Sequence, residues 1–225
     1  MTLVIYFRDS LGTALLFLGE ISIFSSNFYD MTKKVLLLLA QGFEEYEASV
    51  FTDVMGWSRA EGLEGVDLLT AGIRKQIKGT WNLVVETQAQ LKDIHLDDFD
   101  ALAIPGGFEE TGFYEDAFAE QFQDVIRHFN ECGKPIAAIC VAALPVAKAG
   151  VLKDRNATTY DLSGGHRKKQ LAALGAIVND QRIVKDDNII TSIGPATAPE
   201  VAFMLLEMLT SEKNVQAVKH QMRFI

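Results

Sequence analysis

The sequence predicts an α/β fold in which helices cover both faces of a mostly parallel sheet. Short apolar runs that suit doubly buried strands alternate along the chain with longer amphipathic stretches that suit helices. The chain has 225 residues, of which 48% are hydrophobic. This is enough for one well-packed domain without metal or disulfide cross-links.

The strands are predicted from continuous apolar runs, of which residues 35–40 are the first. Gly79 splits a later stretch into a hairpin, and a second hairpin turns at Asp186-Asp187. The predicted strands comprise residues 35–40, 66–71, 73–77, 81–86, 100–104, 135–139, 157–160, 182–185 and 188–192.

The helices are predicted where apolar residues recur on one side, as Ala48, Phe51 and Val54 do. A glycine closes most of these stretches, because glycine readily adopts the left-handed conformation that ends a helix. The predicted helices comprise residues 44–61, 117–132, 141–150, 165–174, 199–209 and 212–222.

Charge and cysteine content narrow the range of functions. The net charge of −9 disfavours a nucleic-acid partner, because phosphate backbones are also negative. Glu20 interrupts the apolar residues 11–28, so no membrane span is predicted. The two cysteines favour a reducing, cytoplasmic setting, and they are too few and too far from any histidine cluster for a zinc site to be expected. No nucleotide-binding or metal-ligand motif occurs, so we expect no cofactor and no metal.

Residues 1–30 differ in character from the remainder and are predicted to be an extension outside the fold. Met31 is followed by Thr32-Lys33-Lys34 and stands like a start site directly before the first predicted strand. A signal or anchor segment is the alternative, although Asp9 weakens the positive region that a signal peptide needs. Residues 31–225 are then expected to form a single domain.

Cys140 stands between the apolar run 135–139 and the small residues Val141-Ala142-Ala143. This order predicts a sharp strand-to-helix turn, of the kind that lifts a nucleophile above the sheet. Because amides at a helix N-terminus stabilise an anion, we expect a lowered thiol pKa and a reactive thiolate. The alternative is a structural cysteine, since free cysteines are often buried as small hydrophobic residues.

The carboxyl ends of parallel strands share one edge of a sheet, and ligands bind outside that edge. The predicted topology brings three loops together there: residues 41–47, 105–110 and 140–142. We therefore expect the cysteine to lie near a run of glutamates and near the Gly106-Gly107 pair.

Four short motifs in this order and spacing resemble the ThiJ/PfpI superfamily. They occupy residues 40–48, 104–107, 137–140 and 191–197, and the resemblance extends from about residue 34 to residue 209. It implies a flavodoxin-like three-layer sandwich with a nucleophile elbow at Cys140.

The resemblance also implies roles for individual residues. Glu47 would keep its proton, because two adjacent negative charges are costly, and would donate a hydrogen bond to the Cys140 sulfur. The amides of Gly107 and Val141 would form an oxyanion pocket, and Gly106 would let the backbone approach a ligand closely. From the residues alone, Glu47 is equally an ordinary glutamate in the first turn of a helix.

The chain departs from the family pattern at three positions. Val141 follows the cysteine where the protease-like branch carries histidine, so a peptidase function is disfavoured. Tyr160 stands where the deglycase-like branch often has histidine, and His166 is either its replacement or a surface residue. Trp81 takes the place of an arginine that serves the dimer and the pocket in some relatives. Tyr160 and Pro195 are further candidate pocket residues.

Three functional hypotheses follow. The first is cofactor-free glyoxalase or deglycase-type chemistry on small reactive carbonyls or glycated substrates, with Cys140 as nucleophile and Glu47 as proton shuttle. The second is an oxidative-stress redox sensor or chaperone without turnover. The third is a cysteine hydrolase or amidotransferase-like protein. Relatives are mostly dimers, and the isologous dimer is the commonest oligomer, so a homodimer is expected.

Overall fold

The computed structural model describes residues 32–225, together with the backbone of two strands near the N-terminus. The chain divides into two compact units, Met1–Met31 and Thr32–Ile225. In the first unit, β1 (Ile5–Arg8) and β2 (Ala14–Phe17) pair antiparallel. The other residues of this unit lie outside the described residues, so the expected extension and its alternative, a signal or anchor segment, stay predictions.

A seven-stranded sheet forms the centre of the second unit. The strands of this unit are β3 (Lys33–Leu39), β4 (Val66–Gly72), β5 (Gln76–Lys78), β6 (Val84–Glu86), β7 (Ala89–Gln90), β8 (Ala101–Ile104), β9 (Ile136–Ile139), β10 (Asn156–Ala157), β11 (Ile177–Val178), β12 (Ile183–Asp186) and β13 (Ile189–Ser192). The sheet has the order β12-β13-β9-β8-β3-β4-β7, and only the β12–β13 pair is antiparallel. β5 pairs with β6, and β10 with β11, in two small separate sheets.

The helices of this unit are α1 (Glu45–Glu61), α2 (Phe113–Ala117), α3 (Glu120–Glu131), α4 (Ala143–Lys148), α5 (His166–Ala173), α6 (Ala198–Leu209) and α7 (Glu212–Gln221). None of the helices in the described part of the chain combines the length and the apolar character of a membrane span.

The side chains of β3 alternate between two hydrophobic clusters, as expected for a strand with both faces buried. Leu36 and Leu38 belong to the cluster that contains Phe122 of α3. Leu37 belongs to the other cluster, which contains Phe51 of α1. Helices therefore cover both faces of the sheet, and the predicted three-layer α/β sandwich is confirmed.

The predicted helix 117–132 is observed as α3, which starts three residues later, and the short α2 before it was not predicted. The break between α2 and α3 lies at Ala119, which adopts an extended conformation and starts α3 without a side-chain cap. The side-chain amide of Gln123 donates to the carbonyl of Ala117 at 2.6 Å. This bond satisfies a buried carbonyl group that the break would otherwise leave unpaired.

The predicted strand 157–160 ends earlier, as β10, because side chains replace the strand hydrogen bonds. The Thr158 amide donates to Oγ1 of Thr191 at 2.9 Å. The hydroxyl of Thr159 donates to the carbonyl oxygen of Cys140 at 2.9 Å. The segment thereby braces the loop that follows β9.

The carboxyl ends of β3, β8 and β9 lie at one edge of the sheet, since these strands are mutually parallel neighbours. The loops after β3 and β8 join in an antiparallel bridge between Phe43 and Gly107. The amide of Glu44 also donates to the carbonyl of Gly106 at 2.8 Å. The predicted meeting of these loops is thus observed, and it positions the candidate site.

Candidate active site

Cys140 occupies a sharp turn between β9 and the helical segment that follows. Its φ angle is +59°, a left-handed value that residues other than glycine seldom adopt. A 3-10 turn, Cys140–Ala142, then leads into α4. Such a conformation costs about 1–3 kcal/mol, and strained residues of this kind cluster at functional sites. The side chain is half-buried and lines a cavity, as a nucleophile at such a turn must.

Glu47 is a fully buried glutamate in the first turn of α1. Its amide donates to the Glu44 carboxylate, which caps the helix, at 2.8 Å. One carboxyl oxygen, Oε2, accepts the Gly106 amide at 2.6 Å. The other, Oε1, is buried and has no partner of ordinary hydrogen-bond geometry among the described residues.

Gly106 lies between Glu47 and Cys140. A Cβ at this position would approach the Cβ of Cys140 to 2.9 Å and Oε2 of Glu47 to 3.0 Å. Even an alanine side chain would therefore crowd the pair. The absence of a side chain on Gly106 is what allows the carboxyl and the thiol to face the same narrow space.

Burial raises the pKa of Glu47 from 4.5 to about 8, although the Gly106 hydrogen bond opposes the shift. The negative charge of Glu44 contributes to the increase. At pH 7, the neutral carboxyl therefore exceeds the carboxylate by about tenfold. A neutral Glu47 has a proton to donate, and Oε1 is the oxygen without another partner.

The pKa of Cys140 departs from the sequence-based expectation. Burial raises it well above its ordinary value, and a negative charge on Glu47 raises it further. A hydrogen bond from the Val141 amide lowers the thiol pKa, as the position at the start of a helix predicts. This effect is smaller than those of burial and of Glu47. The expectation of a lowered thiol pKa was therefore wrong. The sequence shows the helix start but not the depth of burial.

The two groups titrate as a coupled pair, because a charge on either one opposes ionisation of the other. The pair holds two protons at low pH and one proton after its first ionisation. In the singly protonated pair, the proton lies either on the thiol or on the carboxyl. Because burial raises the pKa of Cys140 well above its ordinary value and that of Glu47 only to about 8, a thiol beside a carboxylate is the favoured arrangement. The nucleophilic form, a thiolate beside a neutral carboxyl, is the minor one.

Gly107 has an amide group that the neighbouring bridge leaves free. The bridge hydrogen bonds run from Phe108 N to Gly42 O at 3.1 Å and from Glu44 N to Gly106 O. Gly107 also has no room for a side chain, since a Cβ would lie 2.3 Å from Gly42 O. The Gly107 amide is therefore available to a ligand, in agreement with the role that the sequence resemblance implies.

The cavity beside Cys140 has a volume of about 290 Å³, which suits a small molecule. Its lining comprises Gly107, Phe108, Glu109, Glu110, Cys140, Val141, Tyr160, His166 and Arg167. Of the predicted pocket residues, Gly107, Val141 and Tyr160 belong to this lining. Gly106 and Pro195 do not: Gly106 lies behind the thiol, and Pro195 begins the 3-10 turn Pro195–Thr197.

Arg167 is a cavity residue that sequence reasoning missed. It is half-buried and its guanidinium carbon lies 5.2 Å from the centre of the Tyr114 ring. Its guanidinium donates to Glu109 at 2.8 Å. The preceding His166 is exposed at the start of α5 and also lines the cavity. In the sequence, the Gly164-Gly165 pair before these two residues could have indicated that they lie near the site, because the pair lets α5 start close to it.

Trp81 supports the acid from outside the cavity. Its indole N–H donates to Oε1 of Glu44 at 3.1 Å, and its ring packs edge-on against Phe108 at 5.4 Å. Glu44 in turn caps the helix that carries Glu47. Trp81 therefore takes part in holding the first turn of α1, by contacts different from those of an arginine.

Comparison with known proteins gives relatives that match most of the chain. The dj-1beta protein of Drosophila melanogaster is 33% identical over 190 residues, covering 84% of this chain and 95% of the relative. A protein of Bacillus subtilis named putative cysteine protease YraA is 31% identical over 166 residues, covering 73% of this chain and 91% of the relative.

Solved structures agree with these sequence relatives. The crystal structure of Drosophila melanogaster DJ-1beta superposes with a TM-score of 0.74 at 30% identity, covering 86% of this chain and 98% of that one. The resemblance to the ThiJ/PfpI superfamily and the flavodoxin-like fold class are confirmed. Since the sequence profile of the DJ-1/PfpI family matches residues 33–208, the chain belongs to this family.

Proposed function

We propose that this chain converts small reactive carbonyls, or groups glycated by them, through cofactor-free chemistry of the glyoxalase or deglycase type. The observation that carries the proposal is the pairing of Cys140, at a left-handed turn, with the buried and neutral Glu47. The free Gly107 amide beside the same cavity adds a donor for developing negative charge.

In the first step, the Cys140 thiolate attacks the aldehyde carbon and forms a carbon–sulfur bond. The π electrons of the carbonyl move to oxygen, which the Gly107 and Val141 amides stabilise. Glu47 then gives its proton to that oxygen and becomes a carboxylate. The product is a hemithioacetal, and the pair has supplied the one proton that the addition requires.

For a 2-oxoaldehyde, the Glu47 carboxylate next removes the hydrogen of the former aldehyde carbon as a proton. Glu47 returns this proton to the neighbouring carbon, while the hydroxyl proton of the former aldehyde moves to the ketone oxygen. A 2-hydroxy thioester then remains on Cys140. Water hydrolyses the thioester and restores both side chains. The sum is 2-oxoaldehyde plus water giving a 2-hydroxy acid, so the reaction needs no external oxidant.

The direct test uses the full chain with methylglyoxal, without added thiol. We expect consumption of the dicarbonyl and formation of an equal amount of lactate. Consumption without lactate would indicate simple trapping by exposed side chains and would contradict turnover. The cavity suits a substrate of this size. Because both described cysteines are free, the proposal also places the protein in a reducing cytoplasm.

A redox role is the second candidate, and the free Oε1 of Glu47 favours it. Two molecules of peroxide would oxidise the Cys140 thiol to sulfinic acid and release two molecules of water. The neutral Glu47 would then donate a hydrogen bond to a sulfinate oxygen. Mild peroxide followed by peptide mass analysis tests this role. A stable sulfinate at Cys140 supports it, whereas continuous oxidation to sulfonate contradicts it.

A hydrolytic or amidotransferase-like activity has less support, although one relative bears the name of a putative cysteine protease. Val141 follows the cysteine where a histidine base would stand. Among the described residues, no hydrogen bond joins Cys140 to a histidine. If amide or ester substrates released product in a reaction that depends on Cys140, a hydrolytic activity would be better supported than carbonyl conversion.

A homodimer also remains a proposal. Tyr46, Trp57 and Phe224 are exposed apolar side chains that line a groove between α1 and the C-terminal residues. Apolar surface of this kind often marks an interface. Sedimentation of the full chain tests the proposal, and a monomer at micromolar concentration would contradict it. A nucleic-acid partner is not part of the proposed function, given the net charge of −9.

A further inference from the structure

A second group of reactive side chains lies at the opposite edge of the sheet from Cys140. Asp97 belongs to the 3-10 turn Leu96–Asp98, which precedes the amino end of β8. His128 and Cys132 lie at the end of α3, which precedes the amino end of β9. Cys140 follows the carboxyl end of β9, so the strand separates this group from the proposed active site.

The three ligating atoms of this group lie close together. His128 Nε2 is 3.1 Å from Asp97 Oδ1 and 3.8 Å from Cys132 Sγ. All three atoms lie within 4.8 Å of one another. His128 and Cys132 are four residues apart at the end of a helix, which places them on the same face.

The two separations from His128 are close to the edges of a metal coordination tetrahedron, and the third is at most 4.8 Å. Zinc binds imidazole nitrogen and carboxylate oxygen at about 2.0–2.2 Å and thiolate sulfur at about 2.3 Å, which gives edges of roughly 3.3–3.6 Å between ligand atoms. The observed values of 3.1 and 3.8 Å lie on either side of that range. Small side-chain rotations would therefore bring the three atoms to equal distance from one ion.

Charge and accessibility also suit a divalent ion. A thiolate, a carboxylate and a neutral imidazole carry two negative charges, and a sulfur-nitrogen-oxygen donor set favours zinc over magnesium or calcium. The Asp97 side chain is 85% exposed and that of His128 29%, so an ion can enter from solvent. The Lys134 ammonium group donates to the backbone carbonyl of Asp97 at 3.3 Å, where it supports the turn.

We propose that Asp97, His128 and Cys132 form a zinc site, with water in the fourth position. The ion would join the turn before β8 to the end of the helix before β9. The sequence predicts no metal site, whereas the fold brings Asp97 beside His128 and Cys132. The spacing of four residues between His128 and Cys132 is visible in the sequence, but their proximity to Asp97 depends on the tertiary fold.

The test uses Co²⁺ as a spectroscopic probe on the full chain. We expect thiolate-to-cobalt charge-transfer absorption that saturates at one equivalent in the wild type and equally in Cys140→Ser. The band should be absent in Cys132→Ser, and His128→Gln should weaken Co²⁺ binding by about tenfold or more. Zinc should then displace cobalt and protect Cys132 from alkylation.

The Cys140→Ser variant keeps this test independent of the proposed active site, because it removes the only other sulfur nucleophile. A band that persists in Cys132→Ser but disappears in Cys140→Ser would place the metal at the elbow and overturn the proposal. Lack of any band in the wild type with excess Co²⁺ would also overturn it. Cys132 is exposed, so thermal unfolding of Cys132→Ser by circular dichroism should match the metal-free wild type.

Discussion

Replacement of Cys140 by serine is expected to reduce lactate formation from methylglyoxal by about 10³-fold or more, to the background rate. The serine hydroxyl titrates far above the thiol, and no base contacts it except the neutral Glu47. Addition to the carbonyl therefore loses its nucleophile, while the cavity keeps its shape. Steady-state assays by coupled lactate detection measure this loss.

The same variant also controls for trapping of the substrate by a thiol outside the site, since it retains the exposed thiol of Cys132. Trapping of the dicarbonyl by this thiol will still occur in Cys140→Ser, and it will appear as consumption without lactate formation. Equal lactate formation in the variant and the wild type would exclude Cys140 as the nucleophile. Circular dichroism melting should show that the variant is folded.

Replacement of Glu47 by glutamine is expected to change the pH dependence of stability. The pKa of Glu47 is about 8 in the folded chain and 4.5 as its ordinary value. Between these values the folded state holds the proton more firmly, so this group's stabilising contribution is complete below about pH 4.5 and is lost as the pH rises to about 8. The wild type should therefore lose about 4 kcal/mol relative to Glu47→Gln over this interval.

Urea unfolding at pH 5 and pH 8 measures this difference. Glutamine is uncharged at both values, and its side-chain oxygen can still accept the Gly106 amide. Glu61→Gln is the matched control, because Glu61 is an exposed glutamate at the end of the same helix. It should show the same pH dependence as the wild type. If Glu47→Gln also behaves like the wild type, the buried carboxyl is not neutral.

The order of the elements was predictable because it depends on local patterns. The apolar run at residues 35–40 is β3, and the amphipathic stretch at 44–61 is α1, both within about two residues of the predicted bounds. The start of α3 after the extended Ala119 was not predictable, since it depends on a hydrogen bond between Gln123 and a carbonyl. The alternation of apolar runs with amphipathic stretches, together with the positions of the glycines, therefore predicts the order of the elements. The exact residues at which helices and strands end depend on tertiary contacts.

The candidate site was predictable where its residues follow strands. Glu47, Gly107 and Cys140 lie in loops after β3, β8 and β9, and parallel strands end at a shared edge. Arg167 follows no such strand, and only the folded chain shows that α5 starts beside the cavity. The direction in which the thiol pKa shifts depends on burial, and the order of residues does not determine how deeply a side chain is buried.

We propose that Cys140 is a nucleophile reachable from solvent and paired with a neutral Glu47. The most direct test of this pairing is the alkylation rate of Cys140 between pH 6 and 10, followed by peptide mass analysis in the wild type and Glu47→Gln. We expect rates within about threefold of each other below pH 7.5, and a slower wild type above pH 8, where the Glu47 carboxylate opposes the thiolate. A Glu47→Gln variant that reacts at least tenfold faster at pH 7, or a Cys140 that stays unmodified while Cys132 reacts, would contradict the claim.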